Sequence, residues 1–199
     1  MVFPCCGGQP INLYRLCRHV EVLFSSVAFD RRRGRDHCVD WFITPRDYEF
    51  ESQVTIVAPP SAIFDRINNL QNWQLWSKQF NLDGHNGLVA LDYSGPDVGV
   101  GAVQTWREPR GKGKLWITGS EPFEVVEYKS HFADFPEMTS RIELSEQGAS
   151  TQVIWSSKGS LPGGPFYGFF GAFVPTQLKH EYTLSLENLK TIVEKEFDY

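Results

Sequence analysis

The sequence predicts an α+β fold: an antiparallel sheet of seven strands with a long C-terminal helix, and two short helices after the first strand. Three observations carry that prediction. The stretch YEFESQVTI, residues 48–56, alternates apolar and polar side chains. Beyond residue 88 come further strand-like runs, divided by short connections rich in Gly, Pro and Asp. The chain then closes on a segment whose apolar residues recur every three or four positions.

In the first strand Phe50, Val54 and Ile56 share one face, while Glu49, Glu51, Gln53 and Thr55 share the other, the mark of a half-buried strand. Pro59 and Pro60 end it, because proline cannot donate to a sheet ladder yet suits the first turn of a helix. Ser61 stands near the expected N-cap. Ile63, Phe64, Ile67 and Leu70 then follow at helical spacing. Asn68, Asn69 and Asn72 favour turns just before Trp73 and Trp76.

Strands are expected over 88–93, 102–108, 114–118, 123–132, 139–144 and 151–157. The turns between them, such as SGPDVGVG and EPRGKGK, are short enough to make consecutive strands antiparallel neighbours. Over 176–196, Leu178, Tyr182, Leu186, Leu189, Ile192 and Val193 form one stripe, giving a helix about 30 Å long. Pro175 either kinks an earlier start of that helix or belongs to an aromatic cap beside it.

With 199 residues, the chain is long enough for one domain and an appendage. The division falls near Thr44 and Pro45: all four cysteines (Cys5, Cys6, Cys17, Cys38) precede it, as do Arg31 to Arg33 and Arg35. Residues 1–45 are expected to be a poorly defined extension and 46–199 the folded domain. The cysteines and nearby histidines show no C-x-x-C spacing, so neither a zinc site nor any other cofactor is expected. The most apolar early run, Val20 to Phe29, contains Glu21 and is far shorter than the ~20 residues of a membrane span. Reduced thiols and the absence of an N-x-[ST] sequon point to the cytoplasm. A net charge of −5 argues against a nucleic-acid partner. The aromatic content (15 Phe, 7 Tyr, 6 Trp) suits a pocket for a greasy or flat molecule. Oligomeric state is not legible.

The segment VTIVAPPSAIFDRINNLQNWQLWS is similar to the opening of the polyketide cyclase/dehydrase and lipid-transport family, within the START-like and Bet v 1-like (SRPBCC) group. TQVIWSSKG resembles that family's penultimate strand and LSLENLKTIVE its closing helix. The likeness covers about 48–197. It implies the helix-grip fold, in which a cavity lies between the sheet and the long helix and the two short helices sit at its mouth. Relatives often begin with a hydrophobic anchor, which residues 1–45 do not resemble.

No motif for nucleophilic catalysis or phosphate binding occurs, and no catalytic residue is assigned; GKGK at 111–114 reads as a hairpin tip. His85, His131 and His180 read as loop, rim or helix-surface residues. Candidate ligand contacts are Trp76 at the mouth, Trp106, Trp116, Tyr128 and Trp155 on the strands, Phe173 at one end, and Tyr182 on the helix. Arg141 joins them as a cation that could fix a carboxylate or carbonyl, although with Glu143 it could equally form an exposed charged face. The expected function is binding of a hydrophobic small molecule: a lipid, an isoprenoid or an aromatic polyketide. A cyclase or dehydratase with an acid-base group in the same cavity is one alternative. An interaction domain whose interior is filled by its own side chains is the other.

Overall fold

The computed structural model describes residues 46–80, 90–109, 111–162 and 173–197. The expected extension 1–45, His85 and the phenylalanines of the expected aromatic cap (Phe166, Phe169 and Phe170) lie outside the described residues. Strand β1 (Asp47–Ile56) leads into helix α1 (Pro60–Ile67), a 3-10 turn (Leu70–Asn72) and the short helix α2 (Trp73–Trp76). Strands β2 (Ala90–Ser94), β3 (Val103–Glu108), β4 (Gly111–Glu121), β5 (Val125–Phe132), β6 (Met138–Gln147) and β7 (Ser150–Ser160) follow. Helix α3 (Phe173–Phe197) closes the chain. The sheet order is β1-β7-β6-β5-β4-β3-β2, with every pair antiparallel, so the expected meander is present and β1 joins it at the far edge, beside β7.

β1 alternates as its sequence dictates, burying Phe50, Ser52, Val54 and Ile56. Pro60 occupies the first position of α1, so Pro59 is the N-cap and Ser61 falls inside the first turn, where it caps nothing. Ile63, Phe64 and Ile67 are the buried stripe of α1. At the next break the Asn69 side chain accepts from the Gln71 backbone N–H at 2.9 Å.

The last carbonyls of α1 have no partner within the helix. Two indoles supply it: Trp73 Nε1 donates to the Ile67 carbonyl at 2.9 Å, and Trp76 Nε1 donates to the Arg66 carbonyl at 3.3 Å. Both tryptophans are buried. The chain therefore reverses so that two large apolar rings enter the interior while their polar edges terminate the helix behind them.

α3 begins three residues before the expected start, with Pro175 in its first turn, where a missing N–H costs no helix bond and no kink is needed. Tyr182, Ser185, Leu186, Leu189 and Val193 form its buried stripe. It lies along β1, held by Ser52 Oγ against Thr183 Oγ1 (3.0 Å) and by Lys190 Nζ donating to the Thr55 carbonyl (3.0 Å). It also meets the end of α2, where the Lys78 N–H donates to Ser185 Oγ (2.8 Å) and Asn188 Nδ2 donates to the Trp76 carbonyl (3.2 Å).

β4, β6 and β7 run longer than their apolar cores suggest. β5, in contrast, starts at Val125, because Phe123 takes a left-handed backbone (φ 64°) in the preceding turn. Among the described residues no helix is long and apolar enough to cross a membrane.

Candidate functional site

The inner face of the sheet and the buried stripe of α3 enclose a dense aromatic interior. At its centre Trp155 on β7 stacks on Tyr182 of α3, with ring centroids 3.8 Å apart and planes tilted by 23°. Trp73 packs edge-on against Tyr128 (5.1 Å) and Trp155 (5.9 Å), and Trp76 against Trp155 (5.5 Å). Phe50 closes the β1 side against Tyr182 at 5.0 Å.

A hydroxyl cluster is set into this wall. Trp155 Nε1 donates to Tyr128 Oη at 2.9 Å, and the Tyr128 and Tyr182 hydroxyls share a hydrogen bond of 3.1 Å. Ser157 Oγ donates to Tyr182 Oη at 3.2 Å, and Ser140 and Ser157 Oγ lie 2.6 Å apart. Strand pleat explains the grouping. Ser157 follows Trp155 by two residues on the same face, and sheet register sets Ser140 opposite Ser157. Burial pushes the Tyr128 phenol well above its ordinary value, with the neighbouring Tyr182 adding to the rise; burial also raises Tyr182. Both side chains are therefore neutral hydrogen-bond donors and acceptors across the physiological range.

A second polar locus lies on β3. Gln104 and Trp106 share its inner face and are both buried. Phe80 packs edge-on against Trp106 at 5.1 Å, and Phe132 stacks parallel to it at 6.2 Å. Gly113, across the ladder, makes this possible: a Cβ there would lie 2.6 Å from Trp106 Cη2 and nearer still to Cε2 and Cζ2. Neither amide atom of Gln104 has a hydrogen-bond partner, and Trp106 Nε1 has none. An orphaned buried group costs about 1–3 kcal/mol, so this corner holds a deficit of several kcal/mol.

Five of the eight expected contacts (Trp76, Trp106, Tyr128, Trp155, Tyr182) are therefore inside. Three are not. Trp116 lies on the outer face, because its neighbours Leu115 and Ile117 take the inner one; Lys114 Nζ sits 5.0 Å from its ring centre. Arg141 is also outward, since Ser140 and Ile142 face in, and it pairs with Glu127 and Glu143 on the surface. The charged-face alternative is the correct one. Phe173 is 43% exposed at the start of α3. His131 and His180 are exposed. The buried polar side chains among the described residues include no carboxylate, imidazole, ammonium or guanidinium group, and no cluster of metal-ligating side chains occurs among them.

The sequence reading missed Ser140, Ser157, Gln104 and Phe80. Ser140 and Ser157 could have been found as residues two positions from Ile142 and Trp155 on the same faces. The same rule reaches Gln104, two positions from Trp106 on β3, although a glutamine between Val103 and Thr105 reads as solvent-facing by residue type.

The family model described as polyketide cyclase / dehydrase and lipid transport matches residues 47–194. The chain belongs to this family. A comparison with curated proteins returned no match. Among solved structures, the chain is similar to the Zhui aromatase/cyclase of Streptomyces sp. R1128, with a TM-score of 0.60 and 10% identity over 76% of this chain and 96% of that one. TTHA0849 of Thermus thermophilus gives a TM-score of 0.58 and 15% identity over 75% of this chain and 99% of that one. CV1439 of Chromobacterium violaceum gives 0.53 and 18% over 75% and 99%. At these identities the likeness establishes the shared helix-grip fold. Membership of the polyketide cyclase/dehydrase family supports a fold of the kind that binds hydrophobic ligands.

Proposed function

We propose that this domain binds an apolar, ring-bearing small molecule of the lipid, isoprenoid or polyketide kind between its sheet and α3. The observation that carries this reading is the buried hydroxyl cluster of Tyr128, Tyr182, Ser140 and Ser157, set in a wall of aromatic rings. An apolar enclosure with a few convergent polar groups is the general form of a small-molecule site. Trp76, Trp106, Tyr128, Trp155 and Tyr182 are the contacts assigned. Entry requires the rings to part. Trp73 and Trp76 are fastened to the end of α1, so α1 and α2 would move away from Trp155 as one unit.

The phenols also bear on the catalytic alternative. Burial keeps them protonated, so each can donate a hydrogen bond to a ligand carbonyl and neither is present as a phenolate base. A cyclase acting here would polarise that carbonyl and hold a folded chain in a dry enclosure. The filled-interior reading is favoured by a different observation, the close Trp155–Tyr182 stack at 3.8 Å.

Titrating the full chain with 1-tetralone, a neutral bicyclic ketone, while following tryptophan emission separates the two. Saturable one-to-one quenching supports binding. No quenching, together with a native mass spectrum free of bound small molecules, would overturn it in favour of the filled interior.

A further inference from the structure

We infer that Gln104 and Trp106 form the polar anchor that selects the ligand, and that this ligand is a neutral ring compound carrying both a carbonyl and a hydroxyl group. The inference rests on the interior being the binding site. The other buried indoles among the described residues all spend their N–H: Trp73 on the Ile67 carbonyl, Trp76 on the Arg66 carbonyl, Trp155 on Tyr128 Oη. Trp106 alone of these four does not, and its strand neighbour Gln104 leaves both ends of its amide unused. The two residues stand two apart on one face of β3, about 7 Å along the strand. Their joint offer is an indole donor, an amide donor and an amide acceptor.

That offer is specific. A carbonyl oxygen accepts from the indole or the amide N–H, and a hydroxyl donates to the amide oxygen. Turning the amide over leaves the same donor and acceptor available. A plain hydrocarbon would keep all three atoms unpaired. A fatty-acid carboxylate would be buried without a counter-charge, since no buried side chain among the described residues is cationic. Phe80, packed on Trp106, is the ring that such a ligand would displace.

The test compares three ligands of one ring size on the full chain: 6-hydroxy-1-tetralone, 1-tetralone and tetralin. Affinity is expected to fall in that order, by about tenfold for each polar group removed. In Gln104→Met, which keeps the length of the side chain and removes its polarity, the advantage of 6-hydroxy-1-tetralone over 1-tetralone should vanish. Equal affinity of the wild-type protein for all three would overturn the anchor and leave standing the proposal that ligands bind in the interior. No binding of any of them would overturn both. A ligand-free readout is independent of these: Gln104→Met should be at least as stable to urea as the wild type, because it removes two orphaned atoms. A clear loss of stability would mean that the amide has partners, and would sink the proposal.

Discussion

Gly113→Ala tests whether the Trp106 indole is held where the account requires. The backbone at Gly113 is not in the left-handed region, so alanine is allowed there. On backbone grounds alone the change should stabilise by about 0.4–1 kcal/mol, through lost entropy of the unfolded chain. Sterics oppose this. The new methyl would sit 2.6 Å from Cη2 of Trp106 and closer to two other ring atoms, whereas carbon atoms rest about 3.5–4.0 Å apart. The indole would have to retreat by about 1 Å or more, yet Phe80 (5.1 Å) and Phe132 (6.2 Å) hold it in place. Overpacking of this kind costs about 1–3 kcal/mol, at the upper end where three rings must move together. A net loss of about 2 kcal/mol is expected, a shift of about 1 M in the urea midpoint read by tryptophan emission. Gly148→Ala is the control: φ is +68° with nothing within 4 Å of a Cβ, so it bears backbone strain alone, about 1 kcal/mol. A Gly113→Ala protein as stable as the wild type, or more stable than Gly148→Ala, would refute the placement of Trp106.

Alkaline pH should reveal the buried phenols. Tyr128, Tyr182, Tyr48 and Tyr93 are all raised above 10.0, each chiefly by burial. Below that value both folded and unfolded forms keep the proton. Above it the unfolded chain loses protons that the native state retains, so stability falls as pH rises toward the folded pKa values. Melting temperatures between pH 8 and 11.5 should decline from about pH 10, less steeply in Tyr128→Phe and Tyr182→Phe. Phenolate absorbance of the native protein that rises in a single step near 10 for every tyrosine would contradict this. Arg141→Ala should cost less than about 1 kcal/mol and leave ligand affinity unchanged, since its ion pairs are 43–44% exposed on the outer face. A tenfold loss of affinity would return Arg141 to the site.

The fold was legible because its signals are local. Alternation in β1, prolines at α1 and the spacing of Tyr182, Leu186, Leu189 and Val193 each follow from one element burying one face. The inward side of the candidate site was legible where an aromatic residue lay on a strand with a readable partner, as with Trp155 beside Val153. It failed where parity was not carried through. Leu115 and Ile117 flank Trp116, and Ser140 and Ile142 flank Arg141, so the pleat already placed both outward; the double valine at 125–126, where both side chains are buried at the start of β5, obscured that rule. Gln104 was obscured by its residue type. Strand parity sets it on the face of Ala102 and Trp106, but a polar amide gives no reason to expect that face to be fully buried at that point.

The central claim, that a ligand enters the interior, is most directly tested by the indole N–H signals of the uniformly 15N-labelled full chain during titration with 6-hydroxy-1-tetralone. Each tryptophan gives one such signal, assigned by single Trp→Phe substitution. The account predicts that the Trp106 and Trp155 signals shift progressively and saturate together while the Trp116 signal stays in place. A titration in which only Trp116 moves, or in which the interior signals stay fixed up to ligand saturation, would contradict it.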